Sequence, residues 1–328
     1  MLLLISNIVI NMTSAKFNTV DKVEVLTLQD NYIEMTAMYN SAVISRAAPL
    51  KEGEIKTSII AEHGFSALIK TITGNETHTL LFDFGFSEDG AAQNAKTLGV
   101  NMSEVEAAAL SHGHSDHTGG ISKLAAITGK KYIPFVVHPS AFKSPRYIKY
   151  SETLKINFPK LTRQMVEDVG FSVIESDGPY YILDDTVLFL GEIPRRTDFE
   201  KGFPVAHWQK DGKELWDAIE DDTSVVMNLN DKGLVIVSGC AHAGIINTTK
   251  HAIDVTGINK IHVVMGGFHL SGPLFEGIID RTSEELKILN PDYIIPMHCT
   301  GRKAIMAIEK QMPDKFILNM AGTKLTFV

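Results

Sequence analysis

Cysteine is scarce in this 328-residue chain, which carries only Cys240 and Cys299. Two cysteines so far apart in sequence cannot build a disulfide framework for a chain of this size, which favours a reducing, cytoplasmic compartment. Histidine is plentiful by comparison, with 12 residues. Any transition metal would therefore be bound mainly through imidazole.

Long apolar runs and excess positive charge are missing as well. No stretch reaches the roughly 18 apolar residues that a membrane-spanning helix needs, and the net charge of −8 offers no basic surface for a phosphate backbone. We therefore expect a small-molecule substrate as partner, with no nucleic acid and no membrane, and the sequence leaves a homo-oligomer open. The apolar start MLLLISNIVI lacks a preceding Lys or Arg and a clean cleavage site. It favours a poorly ordered N-terminal extension over residues 1–20 rather than a secretory signal.

Short β-rich runs alternate with helical stretches along the rest of the chain. We predict about a dozen strands, among them residues 171–175, 224–229 and 293–297, and half as many helices, one of them near residues 283–289. This count fits two packed sheets covered by helices better than one doubly wound sheet. Residues 21–328 would then form one α/β domain. An irregular stretch at about residues 191–222 contains Pro194, Pro204 and both tryptophans, and it is predicted to be an inserted lid or loop.

Three histidines and one carboxylate fall within six residues between a short apolar strand and a helical stretch: His112, His114, Asp116 and His117. Alternate residues of an extended turn project to the same side, so His112 and His114 can reach one cation while Asp116 and His117 reach a second. Imidazole with carboxylate suits Zn²⁺, with Fe and Mn²⁺ as alternatives, rather than Ca²⁺ or Mg²⁺. The segment predicts a dinuclear site for two divalent transition metals.

This segment resembles the HxHxDH signature of the metallo-β-lactamase superfamily. Asp83 in LLFDFG and His298 in IPMHCTG are similar to the superfamily's first and last motifs, so the resemblance runs from about residue 23 to the C-terminus. The strings EHGFS (62–66), GEIPR (191–195), SGCAHAGI (238–245), GGFHL (266–270) and HCTG (298–301) resemble the branch that includes the archaeal dihydropterin ribofuranosyl-aminobenzene phosphate synthases. The resemblance implies an αββα sandwich, with two mixed β-sheets flanked by helices. It also implies a metal-dependent hydrolase or group transferase acting on a small anionic metabolite of phosphorylated or pterin type.

The middle of the metal site departs from the superfamily pattern. Most dinuclear members supply a histidine in a Gly-His-Thr turn and a bridging aspartate in a Gly-Asp turn, whereas this chain reads EDDTS at 220–224 and GCAH at 239–242. We prefer His242 as the remaining histidine ligand, because it follows a strongly apolar strand at the expected sheet edge. Cys240 could ligate instead or lie beside the ligands as a small buried side chain, and Asp222 could supply the missing carboxylate or contact substrate. The expected ligand set is His112, His114, Asp116, His117, His242 and His298.

The roles of the acidic residues follow from metal chemistry. A water activated by two cations needs no covalent nucleophile. Asp116, beside that water, is the candidate for both ligand and proton acceptor. Asp83 is expected to orient a ligand histidine rather than to bind metal itself.

Outside the ligand set, four side chains are candidates for contacts with the substrate. His269 follows a predicted strand and could hydrogen-bond substrate or protonate a leaving group, and His63 is a weaker candidate for the same cleft. Arg195 and Arg196 could receive a phosphate or carboxylate. The alternative for the two arginines is a surface cluster of ion pairs with nearby glutamates.

Three other functions share parts of this pattern. A non-catalytic metal-binding or sensing protein would bind metal without turnover. A phosphodiesterase or nuclease of the same superfamily is disfavoured by the acidic charge. A flavo-diiron protein usually carries a Glu in place of the second histidine of the motif, so His114 disfavours it.

Overall fold

The fold is given by a computed structural model that describes residues 17–37, 39–48, 50–51, 53–55 and 57–328. Its strands are β1 (Thr19–Val20), β2 (Lys22–Gln29), β3 (Ile44–Ser45), β4 (Leu50–Lys51), β5 (Glu54–Ile55), β6 (Ser66–Thr73), β7 (Glu76–Phe82), β8 (Ala107–Ala109), β9 (Ile133–Val137), β10 (Arg146–Lys149), β11 (Lys155–Asn157), β12 (Phe171–Glu175), β13 (Tyr180–Ile182), β14 (Val187–Phe189), β15 (Ala206–Lys210), β16 (Lys213–Trp216), β17 (Ser224–Leu229), β18 (Gly233–Ser238), β19 (Ile261–Gly267), β20 (Tyr293–Met297) and β21 (Lys324–Phe327). Its α-helices are α1 (Gly90–Thr97), α2 (Ser115–Thr118), α3 (Ile121–Thr128), α4 (Arg163–Asp168), α5 (Ile245–Thr256), α6 (Ile279–Leu289) and α7 (Arg302–Gln311).

Two large mixed sheets organise the described residues. The first has eight strands in the order β12-β9-β8-β7-β6-β2-β21-β3, and the second has β13-β14-β17-β18-β19-β20 with β1 added beside β17. In the first sheet, β7, β8, β9 and β12 run parallel to one another. In the second sheet, β18, β19 and β20 are likewise parallel. Each sheet therefore presents a group of parallel strands whose carboxyl ends lie at one edge.

Apolar side chains alternate along these strands and fill three layers. The central layer lies between the two sheets, with Ile69 and Phe82 from the first sheet packed against Val237 and Met265 from the second. The outer face of the first sheet packs on α1, α3 and α4, and that of the second on α5, α6 and α7. Burying such a side chain fully contributes about 1.5–3 kcal/mol. The predicted αββα sandwich is confirmed.

A third, antiparallel sheet in the order β11-β10-β15-β16 covers part of this sandwich. Two of its strands come from the stretch at 191–222 that was expected to be irregular. They are joined by Asp211 and Gly212, which both have positive φ, at 51° and 75°. Asp-Gly with two positive φ angles is typical of a tight hairpin turn. The predicted lid thus contains a β-hairpin rather than only a loop.

The chain's beginning is described only in part. Residues 1–16 of the expected extension over 1–20 lie outside the described residues, whereas Thr19 and Val20 pair in parallel with Asn228 and Leu229 of β17. None of the described helices is long and apolar enough to cross a membrane.

Candidate metal centre

The predicted ligand residues all lie at the carboxyl ends of parallel strands. His112 and His114 follow β8, and Asp116 and His117 lie on the short helix α2. His242 follows β18, and His298 follows β20. Because carboxyl ends of parallel strands share one sheet edge and the two sheets pack face to face, residues distant in sequence come together here.

One cluster consists of His112, His114 and His242, whose ligand atoms lie within 4.8 Å of one another. The Nε2 atoms of His112 and His242 are 3.2 Å apart. The ring of His114 stacks on Phe158, with centroids 4.3 Å apart and planes at 10°. All three histidines are buried. Three imidazoles in this arrangement could hold a divalent transition-metal ion.

A second cluster consists of Asp116, His117, Cys240 and His298. Asp116 Oδ2 lies 3.2 Å from His298 Nε2 and 3.6 Å from His117 Nε2. The Sγ of Cys240 lies 3.1 Å from His117 Nε2. The rings of His112 and His117 are 4.3 Å apart, so the two clusters adjoin. Cys240, whose role the sequence leaves open, is thus among the possible ligand atoms of this cluster.

Asp83 lies directly behind the ligand loop. Its Oδ2 is 2.6 Å from His117 Nδ1, and its two carboxylate oxygens accept hydrogen bonds from the backbone N–H and Oγ of Ser111, each at 2.7 Å. The same Ser111 Oγ is 3.0 Å from His112 Nδ1. Carboxylate contacts of this kind fix the ring orientation of metal-binding histidines.

The unpartnered polar atoms of the clusters suit a bound cation. His114 Nε2 is buried without a hydrogen-bond partner, and the Nε2 atom of His298 has only Asp116 Oδ2 nearby, at 3.2 Å. An unpaired buried polar atom is costly. Burial lowers the pKa of His114 to about 3 and of His298 to about 4, and it holds the pKa of His112 and His242 well below the usual value. Neutral imidazole is the form that binds metal. The residues present therefore fit transition-metal ions.

Two carboxylates, those of Asp116 and Asp83, lie beside His117 in the second cluster. Burial alone would raise the pKa of Asp116, but the adjacent His117 and His298 hold it well below its usual value. Burial opposes the charged form of His117, yet Asp116 and Asp83 raise the pKa of its imidazole. Two carboxylates that stabilise a positive charge on His117 would also stabilise a metal cation at this position.

Residues 221–223 connect the two ligand loops. Asp221 Oδ2 accepts the N–H of Gly113 at 2.7 Å, and the Thr223 N–H donates to the carbonyl of Ser111 at 3.0 Å. Asp222 Oδ2 accepts the N–H of Ala243 at 2.9 Å. Glycine is needed at position 113, because a Cβ there would lie 2.3 Å from the Ala141 carbonyl oxygen. These bonds set the distance between the His112–His114 loop and the loop that carries His242.

Arg146 anchors this connection to the third sheet. Its Nη1 and Nη2 donate to both carboxylate oxygens of Asp221, at 2.8 and 2.7 Å, and its Nε donates to Asp217 at 2.6 Å. All three side chains are at most 3% exposed. Asp222 was a candidate from the sequence, whereas Asp221 and Arg146 were not. Their pairing depends on a sheet that was not predicted.

The remaining predicted residues are distributed unevenly. The ring of His269 is 4.1 Å from that of His242, and His63 Nε2 is 3.4 Å from Asp116 Oδ2 with a side chain 60% exposed. Asp222 has a buried, unpartnered Oδ1, and burial raises its pKa to about 6. Arg195 and Arg196 do not join the histidines: Arg195 donates to the Ala218 carbonyl, and Arg196 pairs with the exposed Asp254.

A second set of residues near the predicted ligands was not identified from the sequence. Asn31 Oδ1 lies 3.2 Å from His298 Nδ1, and the backbone N–H of His298 donates to Asp30 Oδ1 at 3.0 Å. The ring of Phe203 lies parallel to that of His242, with centroids 6.1 Å apart. The Asp30-Asn31 pair directly follows β2, and polar residues at a strand end are the signal that could have found it.

Comparisons with known proteins place this geometry in context. Residues 61–207 match the family model of the metallo-beta-lactamase superfamily. The 7,8-dihydropterin-6-methyl-4-(beta-D-ribofuranosyl)-aminobenzene-5'-phosphate synthase of Methanocaldococcus jannaschii is 30% identical over 311 residues, which cover 94% of this chain and 98% of that protein. The uncharacterized protein MJ0448 of the same organism is 33% identical over 266 residues, covering 76% and 88% of the two chains. The crystal structure of Tm1679, a metal-dependent hydrolase of the beta-lactamase superfamily, matches with a TM-score of 0.67 at 22% identity, covering 92% of this chain and 98% of that one.

Proposed function

The chain belongs to the metallo-β-lactamase superfamily, and on that premise we propose that it is a metal-dependent enzyme that hydrolyses or transfers a group on a small anionic metabolite. The observation that carries this proposal is the pair of adjoining clusters of buried imidazole, carboxylate and thiol donors. Six donors come from the predicted set, and Cys240 is a seventh candidate. A cavity of about 190 Å³, lined by His114, Asp116, Cys240, His242 and His269 among others, leaves room for a reacting group beside them.

Bound divalent transition metals, with Zn²⁺ preferred, would supply a water of lowered pKa and the positive charge that stabilises an attacked carbonyl or phosphoryl oxygen. Asp116 would accept the proton of the attacking group at Oδ2. His63 Nε2, 3.4 Å from that oxygen, then offers a path for the proton to solvent, because most of the His63 side chain is exposed. Asp83 would keep the His117 ring oriented through Nδ1.

His269 is the candidate for a contact with the leaving group. Its ring borders His242, and its Nδ1 is buried without a hydrogen-bond partner. A hydrogen bond from substrate would satisfy that atom. Burial lowers the pKa of His269 to about 4, so its neutral ring would bind the substrate beside the first cluster and stabilise the departing group by donating a hydrogen bond rather than a proton.

Group transfer is the second form of this proposal. It is favoured by the relative from M. jannaschii, which is named as a synthase and resembles this chain over nearly its whole length. That name contains a pterin, an aminobenzene and a ribose phosphate, so phosphorylated and pterin-type compounds are the first substrates to test here. In a transfer reaction the site would exclude water and admit a second substrate in its place.

The test is a panel of phosphate esters, phosphodiesters, carboxylic esters and pterin compounds, assayed with Zn²⁺, Mn²⁺ and Fe²⁺ side by side. We expect turnover that falls by about 10²–10⁴-fold in Asp116→Asn, the range typical of losing a positioned proton acceptor. His78→Gln is the matched control, since His78 lies on β7 and pairs with Glu106 away from the clusters. Metal bound without turnover across the panel would favour a sensing protein, and full activity in Asp116→Asn would remove that residue from the mechanism.

A further inference from the structure

A second cavity lies beside the metal centre and shares two of its histidines. It has a volume of about 470 Å³ and is lined by His242 and His269, by residues 199–202 and Pro204 of the lid, by Trp216, and by parts of the loop at 268–278 that include Phe275. We call it the lid pocket. Its volume falls within the range of roughly 300–1,000 Å³ that is typical of small-ligand sites. Since His242 and His269 line both cavities, a single ligand could occupy the two at once.

Aromatic rings form the boundary between the two cavities. The ring of Phe275 meets that of His269 edge-on, with centroids 4.4 Å apart and planes at 87°. Phe203 contacts both of these rings, at 5.2 Å from His269 and 5.3 Å from Phe275. These separations lie in the range of favourable aromatic pairs. Neighbouring rings therefore contact one another from His242 through His269 to Phe275 on the wall of the lid pocket.

The charged side chains that line the lid pocket are either hydrogen-bonded within the protein or exposed to solvent. Glu200 lines its wall, but both carboxylate oxygens accept backbone N–H bonds at the start of α5, from Ile246 and Asn247 at 2.9 Å each. Lys201 is exposed. Glu200 thus occupies the helix end where an anionic group of a ligand would otherwise bind. An uncharged group fits the lid pocket better than a phosphate or carboxylate.

We propose that the lid pocket binds an uncharged aromatic ring of the substrate, with Phe275 as the residue that selects for the ring. This rests on the proposed function, because the reacting group of the same substrate would lie at the metal centre. A planar ring can pair with Phe275 and His269 in the stacked or edge-on geometries that aromatic groups prefer, worth about 0.5–1.5 kcal/mol beyond the apolar area that is buried. A saturated ring of equal size lacks that contribution.

The test compares binding of anisole and methoxycyclohexane to the full chain by ligand-observed NMR titration. Both probes are uncharged and have the same number of heavy atoms. We expect anisole to bind about 2–12-fold more tightly, the factor that corresponds to the energy of an aromatic pair. Phe275→Leu should abolish this preference and Phe275→Tyr should retain it. Phe316→Leu is the control that should leave the preference unchanged, because Phe316 bridges to Ile294 of β20 and lines neither cavity.

A second measurement tests whether the ring of bound anisole lies near the metal centre. In protein loaded with Co²⁺, the protons of bound anisole should relax faster than in protein loaded with Zn²⁺, because paramagnetic relaxation requires proximity to the metal. A preference that survives Phe275→Leu, the lack of any preference, or bound anisole that does not respond to Co²⁺ would each overturn the proposal. If the proposed function fails, the substrate panel shows no turnover while the ring preference and its loss in Phe275→Leu persist, so the two failures are distinguishable. Unchanged metal content in Phe275→Leu shows that the variant folds.

Discussion

Replacing Asp221 with alanine should destabilise the chain strongly even without metal. Asp221 is fully buried and holds Arg146 through two hydrogen bonds and the N–H of Gly113 through a third. The substitution leaves a buried guanidinium with Asp217 as its remaining carboxylate partner and leaves the Gly113 N–H unpaired. Removing one partner of a buried ion pair costs about 3–5 kcal/mol. Because Asp217 still neutralises part of the Arg146 charge, we expect the lower half of that range.

The assay is urea unfolding of metal-free protein, followed by circular dichroism and by tryptophan fluorescence. Trp208 and Trp216 both lie on the third sheet, so the fluorescence reports on the part of the fold that Arg146 anchors. Asp198→Ala is the matched control. Asp198 pairs with Arg281 on the surface, where the two side chains are 72% and 49% exposed, and such pairs contribute less than about 1 kcal/mol.

The pH dependence gives a second check on the same residue. Burial alone would raise the pKa of Asp221, but the Arg146 guanidinium and the Gly113 N–H hold it far below its usual value. A carboxylate with a depressed pKa in the folded state contributes stability above its unfolded pKa of about 3.9, and that contribution is lost as the pH falls further. The difference in unfolding free energy between wild type and Asp221→Ala should therefore be largest near neutral pH and shrink below about pH 4. A loss no larger than that of Asp198→Ala, or a difference that does not change with pH, would refute the reasoning.

Three further predictions concern metal and charge. Purified protein should contain close to two transition metals per chain by elemental analysis, and His114→Ala should lose about one of them while His78→Gln keeps both; metal-free protein after careful preparation would contradict the ligand assignment. Co²⁺-substituted protein should show a thiolate-to-metal absorption band that disappears in Cys240→Ser and persists in Cys299→Ser, and a band unaffected by Cys240→Ser would remove that sulfur from the second cluster. Burial raises the pKa of Glu200 to about 7, so the folded state binds its proton more tightly than the unfolded state. Unfolding free energy should then fall as the pH rises from about 4.5 to about 7, a slope that Glu200→Gln should flatten in urea titrations at several pH values.

The strands of the two large sheets could be predicted closely from the sequence. Runs expected at residues 171–175, 224–229 and 293–297 are strands with those same bounds. These strands are buried on at least one face, so each shows either an apolar run or a clear alternation of buried and exposed residues, and turn residues bound them. The helices were also found, with ends that differ by a few residues, as for α6, which begins at Ile279 rather than at residue 283.

The third sheet could not be predicted by the same reasoning. β16 carries Lys213 and Glu214 and is exposed along its length, so it shows no apolar alternation. The Asp211-Gly212 pair is the local signal of a hairpin there, but prolines and charges surround it. The other neighbour of β15 is β10, which pairs with it across more than fifty residues. A contact at that separation depends on the folded sandwich rather than on local pattern.

The candidate site shows the same division between local spacing and tertiary contact. The HxHxDH spacing is sufficient to place His112 and His114 in one cluster and Asp116 and His117 in the next, because a single turn and a single helical turn fix those directions. The position of Cys240 beside His117 instead depends on how the β18 loop meets the β8 loop. Gly239 makes that approach possible, since a Cβ there would lie 2.1 Å from Ser111 Oγ. Gly239 is therefore the residue that permits the close approach of the two loops. The sequence alone does not reveal this, because the atom it approaches belongs to Ser111, 128 positions earlier in the chain.

Buried ion pairs connect the third sheet to the loop of the first metal cluster, so the two are expected to move together. This limits which parts of the structure can differ between chains that select different substrates. Arg146 opens β10 and pairs with Asp217 and Asp221, and Asp221 in turn holds the peptide between His112 and His114. A shift of this sheet would break buried ion pairs and displace the ligands together with it, at a cost of several kcal/mol. The segment at 199–204 is tied to the sandwich through Glu200 and the start of α5, and to the hairpin through the Phe203 carbonyl, which accepts the Trp216 Nε1–H at 2.9 Å. Differences in substrate choice among chains with this predicted ligand set should therefore lie in residues 199–204, in the facing loop at 268–278 and in the side chain of Trp216, rather than in the position of the third sheet.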